Sequence, residues 1–314
     1  MPTFFHHLLL SVPLFVLVAV GYGLIQWGRW PKEITDALTR FVFAIALPAM
    51  MFRLMSKFAD LPPVDTRLLI AFFGSCLIVF VIGRVIGWQM FRLDGVSQSV
   101  FALGGVFSNT VLLGIPLAKT TLGDAALPSV ALVLVFNALT LWTLVTISVE
   151  WARHGSFSVA GFTKVAKGVA TNPIIASIVM GTLLGMTGFK LPELIDSPLS
   201  MLGQAAAPMS LIALGAGLAE YGVRAGWQQS AAICAIKMLL QPLVVWWLAL
   251  ALGLPPLETQ VVVLLASMPV GVNVYLMSRQ FKTLEGAVAS SMVMSTGLAA
   301  LTTPVILTLI GAKG

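Results

Sequence analysis

Stretch after stretch of this chain runs for about twenty residues with almost no charge inside it. Ten such runs are legible, near 8–28, 36–56, 68–90, 96–118, 126–149, 169–188, 197–219, 229–252, 258–280 and 285–311. A helix that crosses a bilayer needs about 20 apolar residues. Barrel strands would alternate at every second residue, and these runs do not. At membrane depth the backbone polar groups must be satisfied inside the segment, so helices alone fit. The chain reads as an all-α polytopic membrane protein of ten transmembrane helices, with the lipid bilayer as its main solvent. Composition agrees: 58% of the 314 residues are hydrophobic and 10% are charged, against roughly 25% charged in soluble proteins.

Several function classes fall away at once. The connectors are too short for a soluble domain, which excludes nucleic-acid modules and large polar catalytic domains. The net charge of +6 is spread through loops singly or in pairs, a pattern of membrane orientation rather than nucleic-acid binding. Cys76 and Cys234 lie within apolar runs and read as packing residues. Neither they nor the His6–His7 pair is read as a metal site. Walker A, dinucleotide-glycine and zinc-protease motifs are absent, so no cofactor is expected. The first run, from Leu8 to Gly28, is followed by Arg29 and Lys32 rather than by a small-residue cleavage site, and reads as a span.

One connector is longer than the rest. It covers 151–168 and separates a first five-helix unit, 1–150, from a second, 169–314. Five spans per unit force the second to enter the membrane from the opposite side, which makes two homologous units an inverted repeat. A shift of 160 residues maps Pro48 in "AIALPAMMF" onto Pro208 in "QAAAPMSLI", and places Ser108 one residue past Ser267. Span 2 then aligns with span 7, and span 4 with span 9. Lysines and arginines number nine in the odd-numbered loops (Arg29, Lys32, Arg92, Arg153, Lys164, Lys167, Arg224, Arg279, Lys282) and six on the other side (Arg53, Lys57, Arg67, Lys119, Lys190, Lys313). The positive-inside bias puts the 151–168 linker in the cytoplasm and both termini in the periplasm.

Spans 4 and 9 are interrupted in the same way. "GGVFSNTVLLGIPLAKT" and "LLASMPVGVNVYLMSRQ" both mix Gly, Pro, Ser and Asn into an apolar run. Gly114, Pro116 and Pro269 are the expected helix breakers, since proline removes a donor and clashes with the preceding turn. Paired interruptions at matching positions of two repeats point to a midplane binding site. Asn109 and Asn273 are the strongest polar side chains there. Either can act as glue between helices, worth roughly 0.6 to 2 kcal/mol, or can donate to a substrate carboxylate. Half-helices starting after the breaks present N–H groups and a positive dipole end, which suits a small organic anion. Ser108, Thr110 and Ser267 could add hydroxyls, Pro269 and Gly271 would shape the backbone, and each hydroxyl could equally bond its own helix.

Lys237 lies well inside span 8. It either snorkels to the interface or points into the bundle, where it would neutralise substrate charge or the carboxyl ends of half-helices. Arg40, Arg53 and Arg84 sit near span ends, where snorkelling accounts for them. No Asp or Glu stands in the middle of a span, so a buried carboxylate relay is not expected; sodium could still bind backbone carbonyls and amide oxygens. In span 6, Gly181 and Gly185 form a GxxxG pattern, read as close helix packing within the subunit or at a dimer face.

At "LTRFVFAIALPAMMF" (38–52), "SNTVLLGIPLA" (108–118), "AAPMSLIALGAGLA" (206–219), "SMPVGVNVYLMSRQF" (267–281) and "MSTGLAALTTPVILTLI" (294–310) the chain resembles the auxin efflux carrier family, whose bacterial members include malonate and malate permeases. The resemblance spans nearly the whole chain. It implies a fold like that of sodium/proton antiporters and bile acid symporters. Spans 1, 2, 6 and 7 would form a scaffold, spans 3–5 and 8–10 a transport domain in which the broken helices 4 and 9 cross. Elevator-type motion, a homodimer and a multi-pass place in the bacterial inner membrane are implied with it. Asn109 corresponds to the family's asparagine just before the span 4 crossover, whereas Asn273 stands where the plant carriers generally differ. The plant carriers' long central loop is short here. The function expected is carriage of a small organic anion, malonate or a related mono- or dicarboxylate. A sodium- or proton-coupled symporter of bile-acid type is the alternative, and an intramembrane enzyme or a sensor would need a buried catalytic pair or a soluble domain that the sequence lacks.

Overall fold

A computed structural model describes residues 2–28, 30–57, 64–154, 170–221 and 226–311, together with Thr163 and Lys167. Most of the 151–168 linker, including its cytoplasmic placement, lies outside the described residues. The described chain is helical apart from one isolated bridge. In order it forms α1 (Pro2–Gln26), α2 (Lys32–Phe41), α3 (Leu47–Met55), α4 (Arg67–Phe91), α5 (Gly95–Gly104), α6 (Ile115–Leu122), α7 (Leu127–His154), α8 (Pro173–Met186), α9 (Glu193–Tyr221), α10 (Trp227–Ala235), α11 (Gln241–Ala251), α12 (Pro256–Ala266), α13 (Val272–Phe281) and α14 (Glu285–Leu309). Among the described residues, 7 helical stretches are long and apolar enough to cross a membrane, and three shorter apolar helices join them.

Two of the long apolar stretches and one of the shorter helices carry a widened π turn just before a proline. Val42–Ala46 precedes Pro48, Thr110–Gly114 precedes Pro116, and Ile236–Leu240 precedes Pro242. The cause is local. Proline offers no N–H and its ring collides with the carbonyl four residues back. Letting that turn widen by one residue removes the collision without ending the helix.

Packing divides the helices into two groups. The helices α1, α9, α3 and α8 pack in a row, α1 on α9, α9 on α3 and α3 on α8, with α1 against α9 as the most extensive contact. The helices α4, α5, α7 and α10 to α14 pack together on the other side, while α1 also touches α6 and α14. In lipid no hydrophobic drive pulls helices together, so close approach through small residues does the work. At the α1–α9 contact a Cβ added to Gly215 would lie 1.9 Å from the carbonyl oxygen of Val18, and one added to Gly21 would lie 2.1 Å from that of Ile212. Gly181 packs on the backbone of Phe52 in α3, so this half of the span 6 pattern is used inside the subunit. Outward, Leu9, Val12, Val16 and Val20 form an exposed apolar stripe along α1, as expected where the surrounding medium is lipid.

Polar anchors sit at the helix ends. Arg53 does not snorkel alone: it makes a two-pronged bond to Asp196, Nε to Oδ1 and Nη2 to Oδ2 at 2.8 Å each, tying α3 to the start of α9. Arg84 likewise donates to Ser148 and Gln98, linking α4, α7 and α5. Asp94 caps α5 by accepting from the N–H groups of Val96 and Ser97 and from the Ser97 hydroxyl. The Ser97 hydroxyl and the two backbone donors hold the Asp94 carboxyl below its ordinary value, against a smaller opposing effect of burial.

Two predictions follow from these contacts. Gly215→Ala should lower the thermal unfolding midpoint of the detergent-solubilised protein, since overpacking costs about 1–3 kcal/mol. Gly297→Ala, where a Cβ meets nothing within 4 Å, should leave it unchanged or raise it. For Asp94 the folded-state value lies below the unfolded one, so its stabilisation is present at neutral pH. It is lost as pH falls below about 3.9, the unfolded value. Asp94→Asn, which keeps a capping oxygen, should flatten the acid limb of the pH–stability curve; Asp94→Ala should cost about 0.5–2 kcal/mol at neutral pH.

Candidate functional site

Two helices break and cross at one point. The first break falls at 105–109, between α5 and the π turn that leads into α6; the second falls at 267–271, between α12 and α13. The two interruptions run antiparallel and bond to each other. The N–H of Asn109 donates to the carbonyl of Pro269, and the N–H of Gly271 donates to that of Phe107, each at 2.8 Å. Ser108 and Val270 form the isolated bridge between them. Backbone groups that two broken helices would leave bare are thus paired across the crossing, as membrane depth demands. Val270 adds a bond from its N–H to the Ser295 hydroxyl of α14 at 3.0 Å. The approach is close enough to require glycine at 271: a Cβ there would lie 2.9 Å from the carbonyl oxygen of Ser108.

Beside the crossing lies a cavity of about 390 Å³, within the 300–1,000 Å³ typical of small-molecule sites. One wall comes from the crossing and α7, through Ser108, Asn109, Thr110, Gly271, Asn273 and Asn137. The other comes from α2, α8 and α9, through Thr39, Asn172 and Leu214 among others. No Asp, Glu, Lys, Arg or His side chain lines it among the described residues.

Asn109 is the polar centre of this wall. It occupies the N-cap position of the helix that follows, where an asparagine normally accepts from the first turn, yet it makes no such cap bond. The residue is 5% exposed, and its Nδ2 has no partner. An unpartnered buried amide costs about 1–3 kcal/mol. Ser108 Oγ is buried and unpartnered as well. The Thr110 hydroxyl donates to the Ser108 carbonyl at 3.3 Å. The first turns after both breaks, at Thr110 and Val272, begin at the cavity wall, where a helix start presents N–H groups and positive potential.

The remaining expected residues sit elsewhere. The Ser267 hydroxyl is spent on the Leu264 carbonyl at 2.7 Å, and Ser267 is outside the cavity lining. Pro269 contributes its carbonyl to the crossing. Gly114 and Pro116 lie beyond the break: Gly114 closes the π turn, with its N–H on the Asn109 carbonyl at 3.1 Å, and Pro116 opens α6. Lys237 is fully buried and so does not snorkel. Its Nζ reaches Gln241 Oε1 at 2.6 Å and the carbonyl of Ala266, rather than the cavity. Sequence reasoning missed Asn137, whose buried Oδ1 is unpartnered. Its signal was an asparagine in the middle of the apolar run 126–149, outside the two interrupted spans. Asn172 was missed too; its Oδ1 accepts from Ile174 N and Ile175 N to cap α8.

The family described as membrane transport protein matches residues 7–307. The chain belongs to this family, that of the auxin efflux carriers. It is therefore a membrane transporter, not an enzyme. A Rhizobium meliloti (strain 1021) protein named "Putative malonate transporter" is 28% identical over 304 residues, 96% of this chain and 95% of that one. An uncharacterized transporter of Methanocaldococcus jannaschii is 25% identical over 291 residues, covering 90% of this chain and 91% of its own length. The "Probable auxin efflux carrier component 5a" of Oryza sativa subsp. japonica is 31% identical over 146 residues, 45% of this chain and 39% of that one.

Because Gly271 touches the opposite backbone, Gly271→Ala should pry the crossing apart at a cost of about 1–3 kcal/mol. Amide hydrogen exchange at Asn109 and Gly271 should accelerate, while exchange in the middle of α4 stays as in the parent. Unchanged protection at both amides would show that the crossing tolerates the added methyl.

Proposed function

We propose that the protein is a secondary carrier for a small organic anion, with malonate or a related mono- or dicarboxylate favoured, in the bacterial inner membrane. One observation carries this reading: a buried, unpartnered amide donor, Asn109 Nδ2, in the wall of a charge-free cavity where two broken helices begin again. Such a site offers hydrogen bonds and dipole ends to a carboxylate without a fixed cation. Release is correspondingly easy, as a carrier needs. The preference for malonate leans on the name of the Rhizobium meliloti relative.

The same reading takes the chain as ten spans in two inverted five-helix repeats, 1–150 and 169–314 around the 151–168 linker, with both termini periplasmic. The packing of α1, α3, α8 and α9 supports a scaffold made of spans 1, 2, 6 and 7. The cavity lies between that group and the helices carrying the crossing. Sliding of the crossing group past the scaffold would then expose the donors alternately to the two sides, an elevator-type cycle.

Equilibrium binding of malonate to the purified protein tests it, with thermal unfolding followed in parallel. Asn109→Ala should weaken binding by about ten- to a hundredfold, the worth of a hydrogen bond to a charged group. The unfolding midpoint should move little, because removing an unpartnered donor relieves a cost. Asn109→Asp should bind worse than the alanine variant, since it sets a second negative charge against the anion. Equal affinity in the parent and Asn109→Ala, or a loss of binding matched by a loss of fold, would leave Asn109 a packing residue.

A further inference from the structure

The carboxyl ends of both broken helices converge on one pair of side chains. The helix α5 ends at Gly104 and α12 at Ala266, and a helix end carries about half a negative charge on its free carbonyls. Lys237 Nζ donates to the Ala266 carbonyl and to Gln241 Oε1. Gln241 Nε2 in turn donates to the Val106 carbonyl, just past α5, at 3.1 Å. The lysine thus holds one helix end directly and the other through the glutamine. The widened turn Ile236–Leu240 places Lys237, and Gln241 follows four residues on, at the start of α11. Both side chains are fully buried, and no ion pair among the described residues includes Lys237. Two carbonyl ends of about half a charge each match one ammonium. A lone buried cation would otherwise be costly at this depth.

We propose that Lys237 and Gln241 form a built-in cationic clamp on both carboxyl ends of the crossing, the Lys237 ammonium standing where a crossing without it would need a bound monovalent cation. Both are positioning residues: they fix the crossing from behind while Asn109 faces the cavity from the other side.

The test uses the full purified chain and no substrate. Thermal unfolding and amide exchange at 105–109 and 266–271 are followed in sodium, ethylammonium and N-methylglucamine chlorides at equal ionic strength. The parent should behave alike in all three. Lys237→Ala should speed exchange at both breaks by about tenfold or more, the scale of one charge-assisted hydrogen bond. Ethylammonium or sodium, small enough for the vacated space, should restore much of the lost protection, and N-methylglucamine should not. Lys237→Met fills the space without charge, so it should exchange fast in every salt. Gln241→Leu should loosen 105–109 more than 266–271, which keeps the proposal open to refutation even if the lysine variants do not fold. Parent-like exchange in Lys237→Met would reduce the lysine to packing. Parent protection that depends on sodium, or unchanged exchange at 105–109 in Gln241→Leu, would overturn the clamp.

Discussion

A backbone amide or carbonyl left bare in hydrocarbon is the constraint around which this molecule is arranged. Continuous helices meet it automatically, and most of the chain is continuous helix. At 105–109 and 267–271 the chain gives up that solution twice, at the same place. The antiparallel pairing of Asn109 with Pro269 and of Gly271 with Phe107 is the repair. It succeeds because each break supplies what the other lacks, so neither is tolerable alone. The two halves of the chain are bound together there by main-chain bonds, which no side-chain substitution removes directly.

The charge arrangement follows from that repair. Breaking two helices creates two carboxyl ends and two new amino ends, and the crossing sorts them. The carbonyls of Ala266 and Val106 turn toward Lys237 and Gln241, while the starts at Thr110 and Val272 border the cavity. A field from negative to positive across a few residues results without any ionised group in the cavity wall. The small anion proposed above would meet that field in the cavity, with the unused Asn109 and Ser108 groups offered to it as direct contacts.

Much of this was legible in the sequence. Apolar run length announced the helices, and the coincidence of Gly, Pro, Ser and Asn in two runs announced the interruptions. The exact break was not legible, because Pro116 carries the stronger local signal. A π turn absorbs that proline, and the chain breaks earlier, where glycines 104 and 105 let α5 press against Ile233 and Ile236. That is a tertiary cause with no local signature. Lys237 stood out as a buried cation, yet its partner Gln241 did not, since a neutral glutamine in a span has many bland uses. Asn137 went unnoticed for the same reason: its position in the wall depends on how α7 is rotated, which periodicity in an all-round apolar helix does not encode. Arg53 was open to snorkelling until the fold brought Asp196 beside it.

The three π turns have a consequence for how the helices face one another. Each adds one residue to a turn, and one residue of helix is about 100° of rotation. Where helix continues on both sides of the turn, everything downstream of Pro48 and Pro242 is therefore turned by that angle relative to an unbroken helix. These prolines act as phase keys. They decide which side of α3 and α11 meets protein and which meets lipid, so an apolar stripe drawn straight through either would misassign the interior. A chain that lost one of these prolines could keep its length, its hydropathy and its helix, and still present the wrong face to its neighbours.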